Sequence, residues 1–225
     1  MRKIGLIGGT SPESTVLYYS HLVELSRKHL EKDVYPEIVI YSVNFKEVSA
    51  LMRGGKREKL AEKFSEIFKW MEGVGVEIGA LTANTMHLVF DMIETSIELV
   101  HIVDSTVKEA KKKGYKKLTL FGTKKTMESD MYPKKMAEHG IEIIVPDEED
   151  RERINSMIFE KLVFGKVDED VKREALSLAE KYLKVSDAII LGCTELPLAF
   201  EGLDIPKLDT TYIHAKDIFE RAVRT

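Results

Sequence analysis

The chain opens with a short apolar strand that runs into a glycine-rich turn and then a helix, in the stretch Ile4-Gly5-Leu6-Ile7-Gly8-Gly9-Thr10-Ser11-Pro12-Glu13. Ser11 or Thr10 supplies a capping oxygen, Pro12 suits the first helical turn, and Glu13 complements the helix dipole. The stretch lacks the spaced glycines of a dinucleotide fingerprint and the Gly-Lys-Ser/Thr ending of a phosphate-binding loop. It therefore predicts a strand–turn–helix unit with no nucleotide site, and it leaves open a supporting role in binding a small anion.

The same alternation of strand and helix continues along the chain, which indicates a parallel sheet covered by helices in an α/β protein. The predicted strands are Ile4–Ile7, Ile38–Val43, Ile78–Thr82, Val100–Val103, Leu118–Phe121, Ile141–Val145, Ala188–Leu191 and a short one near Lys207-Leu208. Helical spacing of apolar residues is clearest in two groups, Leu60, Phe64, Ile67, Phe68 and Met71, and Ile154, Met157, Ile158 and Leu162.

The two halves of the chain echo each other. Each half opens with a strand and a Gly-Thr turn, at Gly8-Gly9-Thr10 and at Gly122-Thr123. Each half also has a later strand that ends in a small polar cluster, at Ala83-Asn84-Thr85 and at Cys193-Thr194-Glu195. The echo predicts two similar lobes with facing sites, one formed by residues 1–104 plus 209–225 and the other by residues 105–208.

Composition narrows the class of protein. The chain has 225 residues, 44% of them hydrophobic, and its net charge of −4 is spread over charges of both signs, which argues against a nucleic-acid partner. No apolar run approaches the roughly 18 residues that span a bilayer, and the start does not resemble a signal peptide. A single cysteine excludes an internal disulfide, so we expect a cytoplasmic protein. The chain contains no Gln and only three Asn, and 32% of its residues are charged. This composition is typical of proteins from hyperthermophiles.

Four strand-to-helix turns are rich in small polar residues, and parallel sheets bind ligands at this edge. A helix N-terminus there offers free N–H groups to a carboxylate or phosphate. The turns are Gly8–Ser14, Thr82–Thr85, Gly122–Thr126 and Gly192–Glu195.

Cys193 and His87 are the candidates for acid/base chemistry. Cys193 follows an apolar strand where a helix is expected to begin, which would lower its pKa from about 8.5 toward neutrality and let it shuttle a proton or act as a nucleophile. The alternative is a small buried apolar residue. His87 lies about one turn into a predicted helix, where a histidine is commonly packed. The six histidines have no metal-ligand spacing, so we expect no metal.

Taken in order, the motifs of this chain resemble the aspartate/glutamate racemase family across nearly its whole length. The matching pieces are Ile4–Gly9, Glu13–Thr15, Tyr18-Tyr19, Tyr41–Phe45, Asn84–His87, Phe121–Thr123, Thr126-Met127 and Gly192–Leu196.

The resemblance implies two flavodoxin-like lobes, each with a four-stranded, mainly parallel sheet flanked by helices, and a site between the lobes. It also implies a homodimer that acts on a small amino-dicarboxylate without cofactor. Family members invert the α-carbon of an acidic amino acid with two cysteines, one for each face. The resemblance assigns the catalytic role to Cys193 and substrate binding to Asn84, Thr85, Thr126 and Thr194. Thr10, in the first turn, is also predicted to bind the substrate. A cation for the side-chain carboxylate is expected at Lys46 or Arg53.

The departure from the family lies at Ala83, which stands where the family has its first cysteine. The sequence Asn84-Thr85-Met86-His87 resembles a subgroup with threonine at that position and a preference for L-substrates, and a related decarboxylase branch also keeps only the second cysteine. Thr82 precedes Ala83, and because side chains alternate along a strand, its hydroxyl should point away from the face that Ala83 occupies. We therefore expect Cys193 to serve one face, with water or His87 at the other, and slow or one-directional turnover.

Two alternatives remain open at this point. One is a single-cysteine lyase or cis–trans isomerase of dicarboxylates. The other is a dicarboxylate-binding homologue with little or no racemase activity.

Overall fold

The computed structural model is built on two four-stranded sheets in which every strand pair is parallel. It describes residues 1–224; Thr225, which the sequence assigned to the first lobe, lies outside the described residues. The first sheet has the order β2-β1-β3-β4, with β1 Ile4–Gly8, β2 Ile38–Ser42, β3 Ile78–Leu81 and β4 Glu98–Leu99. The second has the order β6-β5-β7-β8, with β5 Lys117–Phe121, β6 Glu142–Ile144, β7 Ala188–Leu191 and β8 Lys207–Asp209.

Helical segments connect the successive strands, as parallel pairing requires. The α-helices are α1 Pro12–His29, α2 Phe45–Arg53, α3 Arg57–Gly73, α4 Ile102–Lys112, α5 Lys124–Met127, α6 Met131–Ala137, α7 Glu148–Ser156, α8 Glu169–Leu183, α9 Leu196–Ala199 and α10 Thr210–Val223. Two 3₁₀ segments, Asn84–Met92 and Leu162–Phe164, and a π-helical turn, Met157–Lys161, complete them. Within residues 1–224, no helix is both long and apolar enough to cross a membrane.

The chain divides into two compact units. The first unit contains Met1–Ile102 and the chain from Thr211 onward, and the second contains Val103–Thr210. Each unit holds one of the two sheets with its own helices. The prediction of two lobes, each with a four-stranded parallel sheet, is confirmed.

Strand alternation divides the core of the first unit into two clusters. Ile4 and Leu6 on β1 pack in one cluster with α1 and α10, whereas Ile7 packs in the other with α3. The apolar stripe predicted for α3 is confirmed, since its members are all buried: Leu60, Phe64, Ile67, Phe68 and Met71.

The prediction of a fourth strand at Val100–Val103 was wrong. The strand is β4, Glu98–Leu99, and Val100 adds one further ladder hydrogen bond, from its N–H to Gly79 O at 2.9 Å. Ile102 and Val103 already belong to α4, where both are fully buried. A short buried run of apolar residues has the same composition in a strand and at the start of a buried helix.

The stripe predicted around Ile154 is buried but does not form one regular helix. Ile154 lies in α7, Met157 and Ile158 in the π-helical turn, and Leu162 in the 3₁₀ segment. All four side chains are buried, so the apolar face of this segment is maintained although the backbone changes from an α-helix to a π-helical turn and then to a 3₁₀ segment.

The turn after β1 is held by tight contacts that only glycine permits. Gly9 has φ +90°, and a Cβ there would lie 2.4 Å from Val43 O. The Gly9 N–H donates to Thr15 Oγ1 at 2.9 Å, and Ser11 caps α1 by accepting from Ser14 N at 3.2 Å. The predicted helix cap is confirmed at Ser11, and the turn is fixed in one conformation.

Replacing Gly9 by alanine should destabilise the protein more than replacing Gly55 does. Both glycines have positive φ, but a Cβ at Gly55 meets nothing within 4 Å. Gly55→Ala should therefore cost about 1 kcal/mol of conformational strain, and Gly9→Ala about 1–3 kcal/mol more from the backbone clash. Urea unfolding of both variants measures the difference, and equal losses would contradict the tight packing of this turn.

Candidate active site

The first unit brings several predicted substrate-binding residues to one edge of its sheet. Strands β1 and β3 pair in parallel with Ile7 opposite Leu81, so the segments that follow them start side by side. The pairing continues one residue further, because Thr82 N donates to Ile7 O at 3.0 Å. Thr10 follows β1, and the segment from Ala83 to Thr85 follows β3.

Hydroxyl and amide groups of this edge differ in their surroundings. The Oγ1 atom of Thr10 is buried and has no hydrogen-bond partner among residues 1–224. Asn84 is buried, whereas Thr85 is partly exposed. Thr82 is fully buried, with its hydroxyl 3.5 Å from Thr15 Oγ1. Thr10 therefore carries a buried hydroxyl whose hydrogen-bonding capacity the described residues leave unused.

His87 is hydrogen-bonded to the backbone at Ala83. Its Nδ1 lies 3.0 Å from Ala83 O, and since a carbonyl oxygen only accepts, Nδ1 carries the hydrogen. The other ring nitrogen, Nε2, therefore holds a lone pair; it is buried and has no partner within residues 1–224.

Two further histidines surround His87. His101 lies 4.8 Å from it between ring centroids and His214 lies 5.5 Å away, while Phe90 stacks on its ring. His214 donates from Nε2 to Val100 O at 2.9 Å, and its Nδ1 lies 2.7 Å from the Tyr18 hydroxyl, which can donate or accept. Burial lowers the pKa of His87 well below its usual value, and His101 and His214 lower it further. His87 is accordingly neutral and packed.

The second unit repeats the arrangement with β5 and β7. These strands pair in parallel with Phe121 opposite Leu191, and Gly192 N extends the pairing by donating to Phe121 O at 2.7 Å. A Cβ at Gly192 would lie 2.9 Å from Phe121 O and 3.7 Å from Thr126 Cγ2. Thr126 thus lies beneath the turn that carries Cys193.

Cys193 is partly exposed and has a carboxylate as its partner. Its Sγ lies 2.9 Å from Oε2 of Glu195, and the Thr194 hydroxyl donates to the same oxygen at 2.8 Å. The unit therefore brings Thr126, Cys193 and Thr194 together, with Glu195 as an added member.

The expectation of a lowered thiol pKa was wrong. Burial raises the pKa of the Cys193 thiol well above its ordinary value, and the charge and hydrogen bond of Glu195 raise it further. Backbone N–H groups of Thr194 and Glu195 act in the opposite direction but do not prevail. The helix that follows, α9, has only four residues, so its dipole is small.

Glu195 is the site residue that the sequence analysis did not single out. It belongs to the turn Gly192–Glu195, in which Cys193 was the predicted acid/base residue. The sequence signal that could have identified Glu195 is its position two residues after Cys193 in a turn. At this spacing the chain can fold the carboxylate back onto the thiol.

The two candidate cations lie on a helix and not in a loop. Lys46 occupies the first turn of α2, directly after β2, whereas Arg53 is the last residue of that helix. With a rise of about 1.5 Å per residue, Arg53 is about 10 Å further along the helix axis. Lys46 is therefore the cation closer to the strand ends. Within residues 1–224, no group of three or more His, Cys, Asp or Glu side chains could hold a metal ion.

Comparison with known proteins gives one consistent result. The broad specificity amino-acid racemase RacX of Bacillus subtilis is 27% identical over 222 residues, covering 95% of each chain. A solved aspartate racemase homologue from Pyrococcus horikoshii is 41% identical, with a TM-score of 0.87 over 100% of both chains. The aspartate racemase of Picrophilus torridus is 22% identical and has the same fold, with a TM-score of 0.78 over 99% of this chain and 94% of its own. A family model described as Asp/Glu/Hydantoin racemase matches residues 7–218, and this chain therefore belongs to that family.

Proposed function

We propose that this chain is an amino-acid racemase-family isomerase that transfers a proton at the α-carbon of a small acidic amino acid, aspartate or glutamate, without a cofactor. Cys193 is its acid/base thiol. The observation that carries the proposal is the hydrogen-bonded Cys193 thiol in the turn after β7, beside Thr126 and Thr194.

The state of the thiol determines which step it performs first. A raised pKa keeps Cys193 protonated at neutral pH, so in its resting form it is an acid that delivers a proton. Once the proton has left, the sulfur is a strong base that takes a proton from the α-carbon on the same face.

Preorganised donors at the strand ends support the carbanion, which has no cofactor to delocalise its charge. The proposed substrate-binding residues at these strand ends are Thr10, Asn84, Thr85, Thr126 and Thr194. The buried hydroxyl of Thr10, which has no partner in the part of the chain that the structure describes, is the observation that favours this role for Thr10. Lys46 is the proposed cation for the side-chain carboxylate.

Ala83 makes the chemistry asymmetric, because its methyl group neither takes nor gives a proton. His87 is packed, neutral and bonded to the Ala83 carbonyl, which suits holding the turn of Asn84 and Thr85 better than transferring protons. Water is then the proton carrier on that face, and turnover is slow or strongly one-directional. A homodimer and a cytoplasmic location are part of the same proposal.

Loss of the thiol should abolish α-proton exchange. In deuterated water, wild-type protein should exchange the α-proton of L-aspartate or L-glutamate, and Cys193→Ala should reduce the rate by about a hundredfold or more. Proton NMR measures the exchange. The substrate panel should also contain neutral amino acids, because the Bacillus subtilis relative is named for broad specificity.

Other outcomes of that experiment distinguish the alternatives. Equal exchange by wild type and Cys193→Ala would contradict the proposal. New products from malonates or maleate would identify a dicarboxylate lyase or cis–trans isomerase. Calorimetric binding of dicarboxylates without any turnover would identify a binding protein.

A thiol placed at position 83 should increase racemisation. Ala83→Cys supplies the acid/base group that the second face lacks, and we expect racemisation to rise by at least about tenfold. Ala83→Ser is the matched control, since its hydroxyl is similar in size but far less acidic than a thiol. Optical rotation or chiral chromatography measures both enantiomers. An equal effect of cysteine and serine would show that the face beside Ala83 does not use a thiol.

Stability should depend on pH through His87. Its folded-state pKa lies below the unfolded value of 6.5, so as pH falls through 6.5 the unfolded chain takes up a proton that the folded chain does not. Wild-type protein should therefore lose free energy of unfolding below this pH, and His87→Asn should lose less over the same range. The amide of the substituted side chain keeps an N–H donor for the Ala83 carbonyl. Urea titrations between about pH 7.5 and about pH 4.5 give the free energy of unfolding of both proteins as a function of pH. Parallel dependences on pH would show that His87 does not cause the loss of stability.

A further inference from the structure

We propose that the carboxylate of Glu195 is the proton partner of Cys193: it holds the thiol in its protonated form and makes the sulfur a stronger base once the proton has been given up. The catalytic consequence rests on the proposed function above. The pairing itself is a property of the folded protein and is tested independently of activity.

The geometry specifies which atom carries the proton. Sγ of Cys193 lies 2.9 Å from Oε2 of Glu195, and an ionised carboxylate oxygen only accepts, so the S–H group donates. Thr194 donates its hydroxyl to the same oxygen at 2.8 Å and thereby holds the carboxylate in this position.

The alternative role of Glu195 is to cap the helix that follows it. Glu195 occupies the N-cap position of α9, yet its side chain makes no capping hydrogen bond. The carboxylate is turned back toward Cys193 and Thr194 instead. Its position is thus explained by the thiol and not by the helix.

Opposing groups surround the sulfur. The backbone N–H groups of Thr194 and Glu195 stabilise a thiolate, whereas the Glu195 carboxylate destabilises it through its charge and its hydrogen bond to the thiol. A thiolate at this position therefore has hydrogen-bond donors beside it, but the nearby negative charge makes it a stronger base than an ordinary thiolate.

The proton balance follows from this pairing. The α-proton first passes to water on the opposite face, which leaves the electron pair of the broken C–H bond on the α-carbon as a carbanion. The S–H bond then breaks as a new C–H bond forms at the α-carbon, and the electron pair of the carbanion becomes that bond. The sulfur keeps the negative charge, facing Glu195. It regains a proton from water, or from the α-carbon in the reverse direction, and the hydrogen bond to Oε2 is restored.

Titration of the thiol tests the pairing without any substrate. Cys193 is the sole cysteine, so thiolate absorbance and the pH dependence of iodoacetamide alkylation report on this residue alone. Glu195→Gln should move the midpoint of both curves downward by at least about one pH unit, toward the ordinary value of about 8.5. Alkylation near pH 8 should then be about tenfold faster than in wild type. Glu201→Gln, which removes an exposed carboxylate from the same unit, should leave the midpoint unchanged.

A second variant covers the case in which Glu195→Gln folds poorly. Glu195→Asp keeps the charge but shortens the side chain, so its midpoint should lie between those of wild type and Glu195→Gln. Identical midpoints in wild type, Glu195→Asp and Glu195→Gln would overturn the pairing.

Activity distinguishes this inference from the proposed function. If the proposed function holds, the pH profile of α-proton exchange should shift downward in Glu195→Gln together with the thiol midpoint. A shifted midpoint without exchange in wild type would uphold the pairing and refute the racemase proposal. Exchange in wild type with an unshifted midpoint and an unshifted profile would refute the pairing alone.

Discussion

The central parallel strand pair in each unit is the constraint on which the candidate site depends. β1 lies beside β3, and β5 lies beside β7, with their last residues in register. In both units the residue after the second strand continues the ladder, through Thr82 N to Ile7 O and Gly192 N to Phe121 O. The turns that carry the polar side chains are thereby tied to the ends of the sheets, and small shifts of the turns would cost backbone hydrogen bonds.

The two units use this common arrangement differently. In the second unit the turn carries a thiol that donates to a carboxylate, Cys193 to Glu195. In the first unit the equivalent turn carries Ala83, whose carbonyl accepts from a neutral, buried His87. One turn therefore carries a side chain that can exchange a proton, whereas position 83 of the other turn carries a methyl group that cannot. This asymmetry is the physical basis for expecting chemistry on one face of a substrate.

The sequence predicted the fold and the order of its elements well, because helical and strand periodicity are local properties of the chain. It misplaced the fourth strand, since Ile102 and Val103 are apolar and buried in a helix as they would be in a strand. It predicted the site in segments that follow apolar strands, and the structure places these segments at the ends of β1, β3, β5 and β7. It misjudged the acidity of Cys193, because that depends on burial and on a contact with Glu195 that periodicity does not encode.

The sequence by itself determined the parallel α/β architecture, the family, and the presence of a single thiol. These follow from residue identity and from spacing along the chain. Only the tertiary structure decided the proton state of that thiol, the tautomer of His87 and, within residues 1–224, the unpartnered hydroxyl of Thr10. Each of these depends on which atoms meet after folding, since electrostatic and hydrogen-bond energies act over a few ångströms of space and not over positions in a sequence.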